Sequence, residues 1–378
     1  MAIDQGSDRP LTSEQLAGRP ALSGEGTPPA NLVLNQGTFR LPPGATARLV
    51  ALPNAPDTYQ IQVEMVADTF GRRVPFDSIP ATPLTREQVP EGEPHDIDGS
   101  HPGHLPLSFV PSRVDLPLSQ RARPPFDFDY VRDGEILDRP TNVFAPEDRY
   151  IYDDTAFPWC TIGRVDTPLG YCTGCTIGPR LLLTANHTIQ WNDDGTTGWV
   201  RFRPAYYNGS APFGEAWAVE TLFWTTVTGG DGLSNQETAF DYVVCVLDSP
   251  IGDVVGFPGT RTYREEWNGD DPWQHMGYPS DLTGGERPAF QGQAVISSVE
   301  DRQTVGRTGF VLGHFNDAVG GHSGGPVWGW WGEEPWPRVL GTQSAEADVP
   351  NDSTSGDNEF GGGPALTQLI AWARDNRP

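Results

Sequence analysis

Gly321-His322-Ser323-Gly324-Gly325-Pro326 sets a serine on a glycine-flanked turn that runs into the apolar pair Val327-Trp328. A hydroxyl on a tight backbone loop is the usual setting of a nucleophilic serine. Glycine at 321 lets the chain turn sharply. The N–H groups of Gly321 and Ser323 can then point into one hollow and hold the oxygen that becomes negative when the hydroxyl attacks a carbonyl. Gly324 and Gly325 leave room for a substrate close to the backbone. A bland surface turn could carry the same residues, so the serine needs partners elsewhere.

Two partners stand upstream. Leu181-Leu182-Leu183 reads as a short apolar strand after the turn Gly178-Pro179, and it ends in Thr184-Ala185-Asn186-His187. A histidine where a buried strand gives way to a polar turn is held by the scaffold yet reaches a cleft, as a general base must. Asp241 opens Asp241-Tyr242-Val243-Val244-Cys245-Val246-Leu247, a run of strand length rich in β-branched residues. A carboxylate at the mouth of a buried strand is costly unless hydrogen-bonded, so a partner is implied. Taken with His187 and Ser323, Asp241 becomes the acid that fixes the imidazole tautomer and steadies its cation; taken alone, it is a strand-edge charge.

The order His187, Asp241, Ser323 and the phrases around them resemble the chymotrypsin-type serine peptidases, and within them the glutamyl-endopeptidase-like branch. The likeness is carried by Pro146-Glu147-Asp148-Arg149 with Asp154-Thr155-Ala156-Phe157-Pro158-Trp159, and by Cys172-Thr173-Gly174-Cys175-Thr176-Ile177-Gly178-Pro179. It continues in Ala211-Pro212-Phe213-Gly214, Pro250-Ile251-Gly252 and Met276-Gly277-Tyr278-Pro279-Ser280-Asp281, and covers about residues 143 to 372. The resemblance implies a serine endopeptidase acting on protein or peptide substrates, made as a zymogen, extracellular and monomeric, with no cofactor and no metal. Val143-Phe144-Ala145-Pro146 resembles the mature start of such enzymes. Cleavage after Asn142 would then free an amino terminus that, in the family, helps complete the specificity site. The resemblance also assigns substrate-binding positions. Asp317, six residues before the serine, is an acid that selects basic residues in trypsin-like members. Gln343 stands where the glutamyl branch has a histidine, Ser344 where a serine flanks the triad acid, and Glu346 where a glycine is frequent. A neutral Gln343 and an acidic Glu346 imply that strict glutamate preference is lost, with a basic preference as the alternative. His322 replaces the acid that often precedes the nucleophile, so activation cannot use that acid's salt bridge to a new amino terminus. Thr188 replaces the cysteine that commonly follows the family histidine, so that bridge cannot form. Two other functions remain open: a catalytically silent peptide-binding homologue, and an esterase-like acyl hydrolase.

Composition narrows the partners. The 378 residues carry a formal net charge of −25, and all 25 basic residues are arginine. A nucleic-acid partner is not expected, because phosphate binding needs a basic footprint. No apolar run is long enough for a membrane span, and Met1-Ala2-Ile3-Asp4-Gln5 is not the start of a secretory signal. Absence of lysine removes Schiff-base chemistry. Cys160, Cys172, Cys175 and Cys245 are read as buried thiols or as one or two bridges outside the family pattern. Cys172 and Cys175 are spaced like half a zinc site, but no second pair follows. The cluster His95, Asp96, Asp98, His101 and His104 lies in a linker-like stretch with no regular element to hold metal geometry.

The elements that must position the triad occupy the second part of the chain. All 12 tryptophans lie after residue 150, while prolines crowd the first part, marking a boundary near Asn142. Residues 1–142 are read as an N-terminal extension serving as a propeptide, or as an accessory module that is never removed. In it, 1–30 are expected to be disordered, 31–70 to hold a small β segment, and 75–142 to be extended, either laid over the following domain or loose. Residues 143–378 are expected to be all-β: two antiparallel six-stranded barrels over about 143–256 and 257–363, closed by a helix at about 364–376. The helix follows from Pro364 at its start and from Leu366, Leu369, Ile370 and Ala373 on one face. His187 and Asp241 would then come from the first barrel and Ser323 from the second. Asn186, Asn208 and Asn351 open glycosylation sequons, the first too close to His187 to be used.

Overall fold

The computed structural model describes residues 9–25, 46–52, 55–64, 78–89, 96–115, 130–132, 135–137, 143, 147–229, 232–345 and 358–378. Six strands rich in alternating apolar and β-branched residues make the first barrel: β1 (Ile162–Thr167), β2 (Gly170–Gly178), β3 (Leu181–Thr184), β4 (Arg201–Pro204), β5 (Ala216–Phe223) and β6 (Val243–Leu247). They pair antiparallel in the order β5-β4-β1-β2-β3-β6, and β6 pairs back onto β5, which closes the barrel. Its interior is filled by Val165, Leu182, Phe202, Val243 and Leu247. Closure leaves those six strands no free edge inside the ring.

The second sheet, where the other barrel is expected, is longer and holds β7 (Trp273–Gly277), β8 (Ala289–Ala294), β9 (Ile296–Thr304), β10 (Arg307–His314), β11 (Pro326–Gly329), β12 (Arg338–Ala345) and β13 (Asn358–Gly362). The order is β9-β10-β13-β12-β11-β7-β8, all antiparallel, with β8 and β9 separated along the chain by Val295 alone. Trp267, Trp273, Trp331, Leu312 and Phe360 fill it. Tyr150–Ile151 pairs with β8, so these residues belong to the second sheet although the sequence assigned them to the first. A two-residue strand has too little pattern to reveal its partner.

The closing helix runs Pro364–Asn376. Leu366, Leu369, Ile370 and Ala373 are each at most 1% exposed, and Trp224 Nε1 donates to Ala365 O at 2.9 Å, fixing the helix against the first barrel. The all-β fold with a C-terminal helix expected from the resemblance is therefore observed, with the first sheet closed as a six-stranded barrel and a second, longer antiparallel sheet beside it.

Residues 11–25 differ from the disordered reading. Ser13–Ala17 is a short helix capped by Thr12, and Leu16 is buried against Leu107, Phe109 and Trp330. Polar composition hid this, because a single leucine supplies the anchor. Residues 79–83 add a strand parallel to β5, and Ile97, Ser100 and Leu107 make bridges to Thr260, Phe257 and Phe157. Strands Thr46–Leu52 and Ala55–Glu64 form an antiparallel hairpin. Thr38–Leu41, Asn142 and Phe144–Pro146 lie outside the described residues.

Candidate active site

His187 stands in a single turn, Asn186–Thr188, directly after β3. Asn186 anchors that turn: its Oδ1 accepts from Val227 N–H at 2.9 Å and its Nδ2 donates to Thr225 O at 2.8 Å. The asparagine is fully buried, which leaves no room for a glycan on it. Asp241 enters from the turn before β6. Its Oδ1 accepts the backbone N–H of His187 at 2.8 Å, and its Oδ2 lies 2.6 Å from His187 Nδ1 and accepts from Ser344 Oγ at 2.6 Å. A fully buried carboxylate is tolerated because these donors replace water. A carboxylate can only accept, so Nδ1 carries the proton and Nε2 presents a lone pair. That Nε2 lies 3.1 Å from Ser323 Oγ. The structure thus brings together the three side chains that the sequence singled out, two from the first barrel and one from the loop before β11.

The serine loop is shaped by two glycines. Gly321 has φ +100°, and a Cβ there would sit 2.2 Å from Tyr278 O; Gly324 has φ +79°, and a Cβ would sit 2.3 Å from Thr173 O. Any other residue would be both strained and obstructed. Thr173 ties the loop down: its Oγ1 donates to Gly321 O at 2.7 Å and accepts from Tyr278 N–H at 2.9 Å, and its N–H donates to Ser323 O at 2.9 Å. Nothing local in the sequence marks this role of Thr173. Two further carbonyls are engaged. Gly320 O accepts from Ser280 N–H at 2.9 Å and His322 O from Gly325 N–H at 2.7 Å. In a trans peptide the N–H points opposite its carbonyl, so the N–H groups of Gly321 and Ser323 face away from those partners. Among the described residues neither donates to a protein acceptor. Two such donors suit an oxyanion.

His322 fills the place of an acid with a buried neutral ring. Its Nδ1 accepts from Val319 N–H at 3.1 Å while its own N–H donates to Val319 O at 3.0 Å, which staples the loop. Burial first, then the repulsion that a charged His322 ring would meet from His275 and Arg149, holds its pKa well below the ordinary histidine range. His275 lies 5.2 Å away between ring centres and is pulled down to about 3, by burial first and Arg149 second. His314, stacked on Phe360 at 3.6 Å, is likewise depressed by burial.

The expected substrate-binding residues diverge. Ser344 sits on Asp241 as the resemblance implies. Asp317 is 1% exposed, and its carboxylate lies 3.7 Å from Arg149 Nε, while its backbone N–H donates to Gln291 Oε1 at 2.8 Å. Gln343 is 2% exposed and turns its amide nitrogen to Ala345 O at 2.8 Å. Glu346 lies outside the described residues. Nothing in the sequence marks Arg149 as a site residue, because Asp281 and Asp317, two of its acidic partners, are distant along the chain. Its guanidinium is held by Glu147 and by Asp281 through Nη2, each at 2.6 Å.

The four cysteines are free and fully buried. Burial pushes the Cys172 thiol up to about 11 and Cys175 to about 12, so both stay protonated, and no group of metal-ligating side chains converges among the described residues. In the acidic histidine-rich stretch, Asp96 pairs with Arg261, Asp98 with Arg338 at 2.8 Å, and His101 Nε2 meets Leu105 O at 2.9 Å. His95 is outside the described residues.

No family model matches the chain. It is 26% identical over 231 residues to a glutamyl endopeptidase of Bacillus licheniformis, covering 61% of this chain and 66% of that protein. The likeness is to the glutamyl-endopeptidase branch of the chymotrypsin-type serine peptidases. The chain is also 26% identical over 197 residues to an extracellular metalloprotease of Bacillus subtilis, covering 50% of the chain and 58% of that protein. The chain therefore spans less than two thirds of the length of either relative. Solved structures similar to it include a Glu endopeptidase in complex with MPD (17% identity, TM-score 0.45, 60% of this chain and 97% of that one). The protease Anisep from Arthrobacter nicotinovorans is another (18% identity, TM-score 0.38, 58% of this chain and 98% of that one).

Proposed function

We propose that this chain is a serine endopeptidase that hydrolyses peptide bonds through an acyl-enzyme. One observation carries the reading: Asp241, His187 and Ser323 form an unbroken line of contacts at 2.6 and 3.1 Å. Ser323 Oγ attacks the scissile carbonyl as its proton passes to His187 Nε2, and the C–N bond breaks as His187 returns that proton to the leaving amine. The acyl–Oγ ester forms, then water, deprotonated by His187, releases the acid and restores the serine. Asp241 holds the Nδ1–H tautomer and offsets the imidazolium charge. The Gly321 and Ser323 N–H groups take the oxyanion.

Substrates in this reading are proteins or peptides, and the enzyme acts as an extracellular monomer. Cleavage after Asn142 leaves the extension docked rather than released, since its anchors are part of the core. The residue read before the scissile bond is uncharged. Asp317 faces Arg149 and Gln343 spends its amide on backbone, so neither offers a free charge to a substrate. A basic preference thereby loses the support of Asp317 and rests on Glu346 alone, which lies outside the described residues, and strict glutamate preference lacks its cation. A peptide panel differing only at that residue tests this; rapid cutting after Glu alone, or after Arg alone, contradicts it. The activity is tested by intact mass of wild type against Ser323→Ala during incubation with a protein substrate. Wild type should cut and Ser323→Ala should not.

A further inference from the structure

The peptide joining Gly320 to Gly321 must keep its N–H toward the reacting carbonyl for an oxyanion to be held. What keeps it so is the hydrogen bond from Ser280 N–H to Gly320 O at 2.9 Å, which fixes the opposite face of that peptide. Ser280 begins the short helical turn Ser280–Thr283, and the next residue, Asp281, is gripped by Arg149 through Nη2 at 2.6 Å and Nη1 at 3.3 Å. The same guanidinium lies 3.7 Å from Asp317, where the loop to Ser323 begins. Its third acid, Glu147, takes two bonds, at 2.9 Å from Nε and 2.6 Å from Nη2. One 1%-exposed arginine side chain therefore joins both segments that set the oxyanion peptide. A guanidinium suits this role because its planar fork can serve several carboxylates in fixed directions. Meanwhile His322, a neutral ring, occupies the place where an acid would otherwise wait for a freed amino terminus.

We infer that Arg149 is a positioning residue that organises the oxyanion peptide from within the chain, so that the catalytic loop is competent before any cut after Asn142. This rests on the serine-endopeptidase reading. It differs from the family expectation in the source of the buried cation: a side chain already present, not an amino terminus made by proteolysis.

The test uses the full 378-residue chain. Val143→Pro blocks the cut, and intact mass verifies that the chain is whole. Uncut Val143→Pro should react with a fluorophosphonate at Ser323 within about threefold of the cut wild type, because the oxyanion donors are already set. Asp281→Asn and Arg149→Met should each slow the reaction by at least about tenfold, reflecting partial loss of an oxyanion donor. With a peptide substrate, kcat should fall while KM moves little. Arg149→Lys should recover part of the rate, since charge is kept but the fork is lost. Asp281 is at the surface of the cluster, so Asp281→Asn remains informative if Arg149→Met does not fold. A merely structural Arg149 would lower the unfolding temperature but leave the rate per folded molecule, read by active-site titration, unchanged; that result overturns the inference. So does an uncut chain that is inert until cut. If cut wild type is itself inert, the endopeptidase reading fails and this inference falls with it.

Discussion

Asp241 shows how far a single side chain can be reasoned about. Its charge is buried completely, and three donors stabilise it: the His187 N–H, the His187 ring and the Ser344 hydroxyl. Asp241→Asn keeps the shape but presents an amide N–H to Nδ1, which selects the wrong tautomer. Turnover should fall by about 10⁴-fold with KM little changed, measured on a peptide substrate. Ser344→Ala removes one of the donors to that carboxylate. It should cost about 1–3 kcal/mol of stability, read by denaturant unfolding, and a much smaller share of turnover. At this scale the triad was legible because each member sits at a strand end with a characteristic phrase around it. Arg149 was not, since its role exists only when Asp281, 132 residues away, and Asp317 fold onto it. The surroundings of Asp317 were hidden for the same reason: position before the serine says nothing of the cation that meets it.

At the scale of elements, strand runs such as Val243–Leu247 and the helix at Pro364 were readable because burial periodicity is local. Pairings were not. The Tyr150–Ile151 strand and the Ile79–Pro83 strand join sheets whose partners lie far along the chain, and their own residues carry no pattern long enough to say so. The second sheet also hides three histidines, His275 on β7, His314 on β10 and His322 before β11. All are neutral in the fold, held below the ordinary value of 6.5 by burial. The unfolded chain protonates them first as pH falls. Their contribution to stability is therefore full above about pH 6.5 and is lost as pH drops toward the folded values, about 3 for His275. Each adds up to about 1.4 kcal/mol per pH unit to the slope in that window. Unfolding temperature followed from pH 7 to pH 4 should fall, and His275→Leu should flatten the dependence; an identical slope in the variant would contradict the assignment. Thr173, on β2, links the first barrel to the serine loop. Thr173→Val should leave Gly321 O without that donor and lower both stability and turnover, the first by about 1–3 kcal/mol.

At the scale of the molecule, the N-terminal extension shares a core with the barrels. Leu16, Leu105, Leu107 and Phe109 pack with Phe157, Val254 and Trp330 in one cluster. Composition leaves this open, since a proline-rich chain can lie over the following domain or stay loose, and a few apolar anchors decide for docking. Leu16→Ala should destabilise by about 2–5 kcal/mol, as for other buried leucines, measured by denaturant unfolding. A chain beginning at Val143 should unfold at a markedly lower temperature than the full protein. After cleavage near Asn142, the two pieces should elute together on size exclusion; a separated, fully stable C-terminal piece would show that the anchors contribute nothing. The account as a whole depends on one hydroxyl being activated by one imidazole. Intact-mass analysis after exposure to a fluorophosphonate tests that most directly. A single adduct on wild type, absent from both Ser323→Ala and His187→Ala, is the predicted result. A folded wild type that takes no adduct, or an adduct that persists in Ser323→Ala, would contradict it.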